Sequence, residues 1–285
     1  MITISKIDSF EELLKLENDW NRLLEKSQSN IVFLSFEWIK NWWECFGDDK
    51  KLLILLVKED DRIIGIAPLM TTQIKKFWLS INKVEFIGMP LSDYADFIII
   101  ENNKEVIQKI YGYLLENKNL WSLVKLNRIQ ESSPTLHLSK EILKSKKLIR
   151  IAPYDKCFSV ALDDPNLNAR LNKKNIRNAI NNLSREGELS LSICRDNLQE
   201  AEELLDIFFE QHKQKWNATS TPSMFNDDRY KKFYLNLAAS LMQKGKIAFF
   251  CLRFSQKPIS IHITFLCDNK CFGYGTTYDI DYAKW

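Results

Sequence analysis

Glycine is scarce, with eight in 285 residues. So low a count argues against a glycine-rich nucleotide fold, and no G-x-S-x-G elbow is present to place a serine nucleophile. Histidine is scarcer still. Only His137, His212 and His262 occur, with no HxxxH or HExxH spacing, so no zinc-type ligand set is expected. The six cysteines (45, 157, 194, 251, 267 and 271) include no CxxC pair, and buried reduced thiols in strands are expected rather than disulfides or metal ligands. No apolar run approaches the roughly 18 residues that span a bilayer. The first 16 residues, MITISKIDSFEELLKL, lack the charged and apolar regions of a signal peptide. A net charge of +3 gives no reason to expect a nucleic-acid protein on bulk charge alone. These absences leave a soluble, cytoplasmic globular chain as the expectation.

What is present is ample core material. Hydrophobic residues make up 45% and charged residues 27%, and the chain carries 17 Phe and 8 Trp. The length suits two domains. Ser9 and Glu12 form a capping box, predicting a helix to about residue 26. Ser35 caps a second helix ending at Gly47, with Trp38, Trp42 and Phe46 at i, i+4 and i+8 as a core stripe. Strands are predicted at 52–57 and 63–70, further strand-like material at 74–87, a loop at 88–96 and a strand from Phe97. A helix over 105–116, a strand over 122–129, a helix over 134–146 and a broken strand over 148–162 follow. Asp164-Pro165 then opens a helix running to Arg185. Beyond it come a strand at 189–194, helices at 197–216 and 227–243, and strands at 247–254, 259–266 and 271–277.

Two segments share one layout. LLILLVKEDDRIIGIAPLM (52–70) and AFFCLRFSQKPISIHITFL (248–266) each give an apolar strand, a polar turn with a cation, and a return strand. Each follows one or two helices. The pairing suggests duplicated α/β domains, 1–163 and 164–285.

Candidate chemistry falls in three places. Ser92-Asp93-Tyr94-Ala95-Asp96 puts two carboxylates and a phenol in a loop. Neighbouring carboxylates can separate their pKa values and leave one as a base, while an Asx-turn into the next strand is the plainer alternative. Tyr274, Tyr278 and Asp279 sit at a strand end, where Tyr278 could donate a proton and Asp279 orient a polar group; a strand-end aromatic with an acidic cap is the alternative. His262 alternates with isoleucines, on a face with Ser260 and Thr264 that lines a cleft or meets solvent. On the helix from 164, Arg170, Lys173, Lys174 and Arg177 fall at i+3 and i+4, a shared face that is either solvated or phosphate-binding.

The order of these features resembles the GNAT acyltransferase superfamily in a tandem form, and more narrowly the CelD/BioF-type acetyltransferase domain family, distant relatives of the FemABX peptidyltransferases. NKKNIRNAINNLSREG (172–187) resembles the family's basic helix, FFEQHKQKW (208–216) its helix ending in a Lys/Arg-Trp pair, and GYGTTYDIDYA (273–283) its Tyr-Asp-x-x-Tyr-Ala element. In the first half FLSFEWIKNWWECFG, DDRIIGIAPL and SDYADF are of the family's type. The resemblance implies an α/β (α+β) fold of two tandem GNAT-like domains, each a mixed, mostly antiparallel sheet flanked by helices. It implies acyl transfer from acetyl-CoA or another acyl-CoA, without a metal, to an amino group of a small molecule or sugar in envelope or polysaccharide biosynthesis. A Fem-like transferase using aminoacyl-tRNA and a non-catalytic binding module are the alternatives. Gln256 stands where the family usually has a turn glycine. The Ser-Pro-Gly turn and helix that follow Tyr-Asp-x-x-Tyr-Ala in the family do not precede Trp285, so a C-terminally incomplete second domain with an open sheet edge is expected.

Overall fold

The computed structural model describes residues 1–76, 78–100, 103–143, 150–153, 155–217 and 219–284. The chain divides into two compact units, Met1–Asp155 and Lys156–Trp285.

The first unit begins with a strand absent from the sequence expectation, β1 (Ile2–Ile7), and continues through α1 (Phe10–Leu14), α2 (Glu17–Lys26) and α3 (Phe36–Phe46). Ser9 caps α1 by accepting from the Glu12 N–H. The single helix expected to residue 26 is two, because the N–H groups of Lys15 and Leu16 bond three residues back and tighten the chain there. Ser35 caps α3 by accepting from the Trp38 N–H. Next come β2 (Lys51–Glu59), β3 (Arg62–Lys76), β4 (Leu79–Phe86), β5 (Ile98–Ile99), α4 (Lys104–Glu116), β6 (Leu123–Val124) and α5 (Pro134–Leu143). The sheet order is β1-β2-β3-β4-β6, with β5 on β3; β4 and β6 are parallel and the other pairs antiparallel.

The strand-like stretch at 74–87 resolves into the end of β3 and all of β4, closed at the Lys76↔Leu79 pair. The strand expected over 122–129 is only two residues long, pairing with Lys83 and Val84 of β4, and beyond it Arg128 has φ 63. No strand forms over residues 150–153 and 155–162, which are solvent-exposed throughout. Residues 144–146 of the expected helix over 134–146, and 148, 149 and 154 of the expected strand, lie outside the described residues. Trp20, Trp38, Trp42, Phe33, Phe36, Phe86 and Phe97 are fully buried. Each such side chain stabilises by roughly 1.5–3 kcal/mol through area removed from water.

The second unit starts with α6 (Leu167–Leu171) and α7 (Lys174–Glu186), then β7 (Leu189–Cys194), α8 (Leu198–Trp216), α9 (Asp228–Met242), β8 (Ile247–Phe254), β9 (Lys257–Cys267) and β10 (Lys270–Tyr278). The four strands form an antiparallel sheet ordered β10-β9-β8-β7. Phe208, Phe209, Phe225 and Tyr234 pack ring to ring beside it, Phe209 and Phe225 at 4.6 Å between centroids.

The continuous helix expected from 164 to 185 does not form. The Asp164 carboxylate accepts from the Asn166 N–H at 2.9 Å, the Leu167 N–H donates to the Asp164 carbonyl, and the helix that follows this turn, α6, is only five residues long. Asn172 and Lys173 then leave helical geometry between α6 and α7. The hairpins β2–β3 and β8–β9 share a finer feature. In the first, Val57↔Gly65 and Lys58↔Ile63 skip Ile64; in the second, Leu252↔Ser260 and Arg253↔Pro258 skip Ile259. Both bulges fall two residues into the return strand, a coincidence that a duplicated unit accounts for.

Candidate functional site

In the first unit the loop 88–97 is fixed from several sides. Gly88 has φ +100, and a Cβ there would lie 2.2 Å from Ser92 Oγ, so only glycine fits. Trp38 Nε1 donates to Ser92 Oγ at 2.8 Å. Arg128 grips the loop twice. Its carbonyl accepts from the Ala95 N–H, and its guanidinium donates to the Ser92 carbonyl at 2.6 Å and the Asp93 carboxylate at 3.4 Å.

The two loop carboxylates face different surroundings. Asp96 is buried and accepts from Ser133 Oγ at 2.6 Å, Ser29 Oγ at 2.7 Å and the Phe97 N–H at 2.8 Å. Burial raises its pKa against the pull of those donors. Asp93 is half-exposed; burial raises its pKa too, opposed by Arg128. Tyr94 is half-exposed beside the Phe33 ring. Asp93 and Tyr94 therefore face outward, while Asp96 ties the loop to the chain after α2 and to the start of α5.

In the second unit the functional groups gather on β9 and β10. The register steps from Gly273↔Thr264 to Gly275↔Ile263, so Tyr274 is the extra residue of a β-bulge. Its ring lies among Phe265 and Tyr234, at 4.9 and 5.9 Å between centroids. His262 stands opposite Thr276 and bonds Thr276 Oγ1 through Nδ1 at 2.5 Å. A Cβ at Gly273 would come within 3.0 Å of His262 Nε2, so glycine leaves the room the imidazole needs. Burial lowers the pKa of His262, leaving it neutral at pH 7 and able to accept a proton.

Past the bulge, Thr277 Oγ1 donates to Gln211 Oε1 at 2.9 Å, and Gln211 Nε2 donates to the Pro258 carbonyl at 3.1 Å, pinning β9 and β10 to α8. Lys215 Nζ lies 4.5 Å from the Tyr278 ring centroid and 5.4 Å from that of Trp216. His212 stacks on Trp216 and shares a 2.8 Å bond with Ser223 Oγ. Asp279 pairs with Lys257 at 2.6 Å and accepts from the Asp281 N–H. Burial alone would raise the Asp279 pKa, but Lys257 and that N–H outweigh it and the net shift is downward. A carboxylate so held is an ion-pair partner, poorly suited to take a proton.

The basic residues do not form the expected single helical face. Arg170 lies on α6 and pairs with Asp164 at 3.3 Å; Lys173 is at the junction, and Lys174 and Arg177 begin α7. All four are exposed. Cys157 and Cys271 are also exposed, against the expectation of uniform burial, while Cys45, Cys194, Cys251 and Cys267 are buried and every cysteine is a free thiol. Cys194 is pushed up to about 11, by burial and then by Glu200. Among the described residues no group of three or more His, Cys, Asp or Glu could hold a metal ion, and no helix is long and apolar enough to cross a membrane.

Arg128, Gln211 and the contacts of Lys215 with Tyr278 and Trp216 were not legible as site features in the sequence. A lone arginine after a short strand, and the Lys-Trp ending of α8, were the available signals.

Residues 170–285 match the acetyltransferase (GNAT) domain family model. None of the curated proteins matches the chain in sequence. In fold, the chain is similar to FemX (TM-score 0.57, 12% identity, covering 98% of this chain and 82% of that one). It is also similar to a conserved protein of unknown function from Bacteroides thetaiotaomicron (TM-score 0.52, 12% identity, again 98% and 82%). Two mixed α/β units thus follow one another along the chain, the acetyltransferase (GNAT) domain family model falls on the second, and the fold is similar to that of FemX over 98% of the chain.

Proposed function

We propose that the protein is an N-acyltransferase of the CelD/BioF type, taking the acyl group of acetyl-CoA or another acyl-CoA and passing it to an amine of a small molecule or sugar in envelope or polysaccharide biosynthesis. The observation that carries the reading is the β10 bulge with the neutral His262 on the neighbouring strand, inside the segment matched to the acetyltransferase domain family. Acyl transfer to an amine needs a donor to the carbonyl oxygen and a base for the amine proton. In this reading the backbone N–H groups around the Tyr274 bulge serve the carbonyl. His262 Nε2 takes the proton while Nδ1 donates to Thr276, which fixes the tautomer. Tyr278, held under Lys215, donates to the leaving thiolate. Asp279 is assigned to positioning, through Lys257. Asp93 and Tyr94 are assigned to the acceptor, and Asp96 to holding their loop. Arg170, Lys173, Lys174 and Arg177 are assigned to the donor's phosphates.

Titration of acetyl-CoA into the folded chain by calorimetry tests the reading: binding is expected, and its absence removes acyl-CoA as the donor. His262→Gln is expected to lower turnover by about 10²–10⁴-fold with the fold intact, the usual worth of a general base. In the unsubstituted protein kcat/KM falls as pH drops through a pKa below the ordinary histidine value, and this limb disappears in His262→Gln. Asp93→Asn is expected to lower turnover; unchanged turnover in Asp93→Asn would take that loop out of the reaction.

A second reading, aminoacyl transfer from tRNA, is favoured by the likeness to FemX over 98% of the chain. It requires salt-sensitive tRNA binding that is lost when Arg170, Lys173 and Arg177 are changed to Glu.

A further inference from the structure

The first unit holds an open cleft of about 340 Å³ where β1, α3 and the start of β2 meet, within the size range of small-molecule sites. Its walls combine two chemistries. Trp43, Phe10 and Leu53 supply flat and apolar surface, and Lys6, Lys50 and Lys51 supply cations. Trp43 is half-exposed and its placement is specific, because a Cβ at Gly47 would lie 2.7 Å from the indole ring. Gly47 has an ordinary helical φ of −82, so the space its hydrogen leaves for the indole matters there, and backbone freedom does not.

The cations differ in how far they are already compensated. Lys6 pairs with Asp8 at 2.5 Å, and Lys50 pairs with Asp49 while lying 5.9 Å from the Trp42 ring centroid. Lys51 has no ion pair among the described residues, and it stands directly across the sheet from Thr71, another wall of the cleft. An ammonium and a hydroxyl side by side suit an anionic oxygen cluster. The half-exposed indole offers a stacking face, and the Asp8 carboxylate, 54% exposed, can accept from a ring amine or a sugar hydroxyl.

We propose that this cleft binds a small molecule joining a flat ring to a phosphate, of the nucleoside monophosphate class. The phosphate sits at Lys51, Thr71 and Lys50, and the ring against Trp43 and Phe10. The assignment is independent of acyl transfer, since none of these residues is given a part in that reaction. Loss of acetyl-CoA binding in the unsubstituted protein and loss of nucleotide binding here are therefore separate results.

The test is calorimetric titration of the full chain with AMP, adenosine and inorganic phosphate at matched ionic strength, with line broadening of the Trp43 indole N–H by NMR as a second readout. AMP is expected to bind at least about tenfold more tightly than adenosine or phosphate, because only it engages both walls. Lys51→Gln and Thr71→Val, separately and together, are expected to weaken AMP, the pair by about tenfold or more, the worth of a charge-assisted hydrogen bond. Both residues lie at the start or on the half-exposed part of a strand, so an unchanged melting temperature is expected and confirms folding. Trp43→Leu is expected to weaken AMP while leaving phosphate unchanged. AMP binding no tighter than phosphate, or AMP affinity unmoved by the Lys51 and Thr71 changes, overturns the proposal.

Discussion

Two carboxylates of one loop illustrate how burial sorts chemically identical groups. Asp96 spends its oxygens on Ser29, Ser133 and the Phe97 N–H. Asp96→Ala is expected to cost about 1–3 kcal/mol, by orphaning buried donors, as read by urea denaturation. Asp96→Asn keeps an acceptor for Phe97 and is expected to cost less. The pH dependence has a definite sign. The folded-state pKa is raised, so the folded state binds the proton more tightly than the unfolded chain. The Asp96 contribution to stability is greatest below the ordinary carboxylate range, falls as pH climbs to the raised value, and is flat above it. Asp96→Asn removes that slope. Asp279 behaves oppositely: its pKa is lowered, so its ion pair with Lys257 contributes above the ordinary carboxylate range and fades as pH falls through the lowered value. Lys257→Gln is expected to raise the Asp279 pKa, followed by NMR of the side-chain carboxyl carbon. From sequence, both loop aspartates read as equal candidates for a base, because the Ser29 and Ser133 partners lie 67 and 37 residues away. The spacing of a loop says nothing about which of its side chains turns inward.

At the scale of elements, the β8–β9 turn shows a local cost the protein bears. Ser255 and Gln256 both adopt positive φ, 45 and 72, as two-residue hairpin turns demand. Gln256→Gly relieves left-handed strain of about 1–2 kcal/mol, less the roughly 0.5–1 kcal/mol that glycine loses in conformational entropy. A small net stabilisation is expected, seen as a higher denaturation midpoint at unchanged slope. The strands of this hairpin and the helices before it were legible because their apolar periodicity is strong and their ends carry turn and cap residues. Elements governed by distant partners were not. β1 exists because it pairs with β2 from Ile2↔Glu59 to Ile7↔Ile54. The expected helix from Asp164 to Arg185 is instead interrupted where Asn172 and Lys173 leave helical geometry. The basic residues of that stretch were identified, but their common face depended on a helix that breaks at Asn172.

Across the whole molecule, aromatic residues are divided between the two units. Trp20, Trp38, Trp42, Trp43, Trp78 and Trp121 belong to the first, and only Trp216 and Trp285 to the second. The second is built instead around phenylalanines. Tryptophan fluorescence therefore follows mainly the first unit, whereas circular dichroism follows both. With a separate core in each, the two signals are expected to give non-coincident denaturation curves, and superimposable curves would show a single cooperative transition. One strand has a consequence at the scale of assembly. Among the described residues β10 forms one border of its sheet, where a straight strand invites a second chain to add on. The extra residue at Tyr274 interrupts the regular spacing that such addition requires. Deleting Tyr274 would straighten the border, and concentration-dependent aggregation by light scattering is the expected result: the irregularity assigned to chemistry also keeps molecules apart.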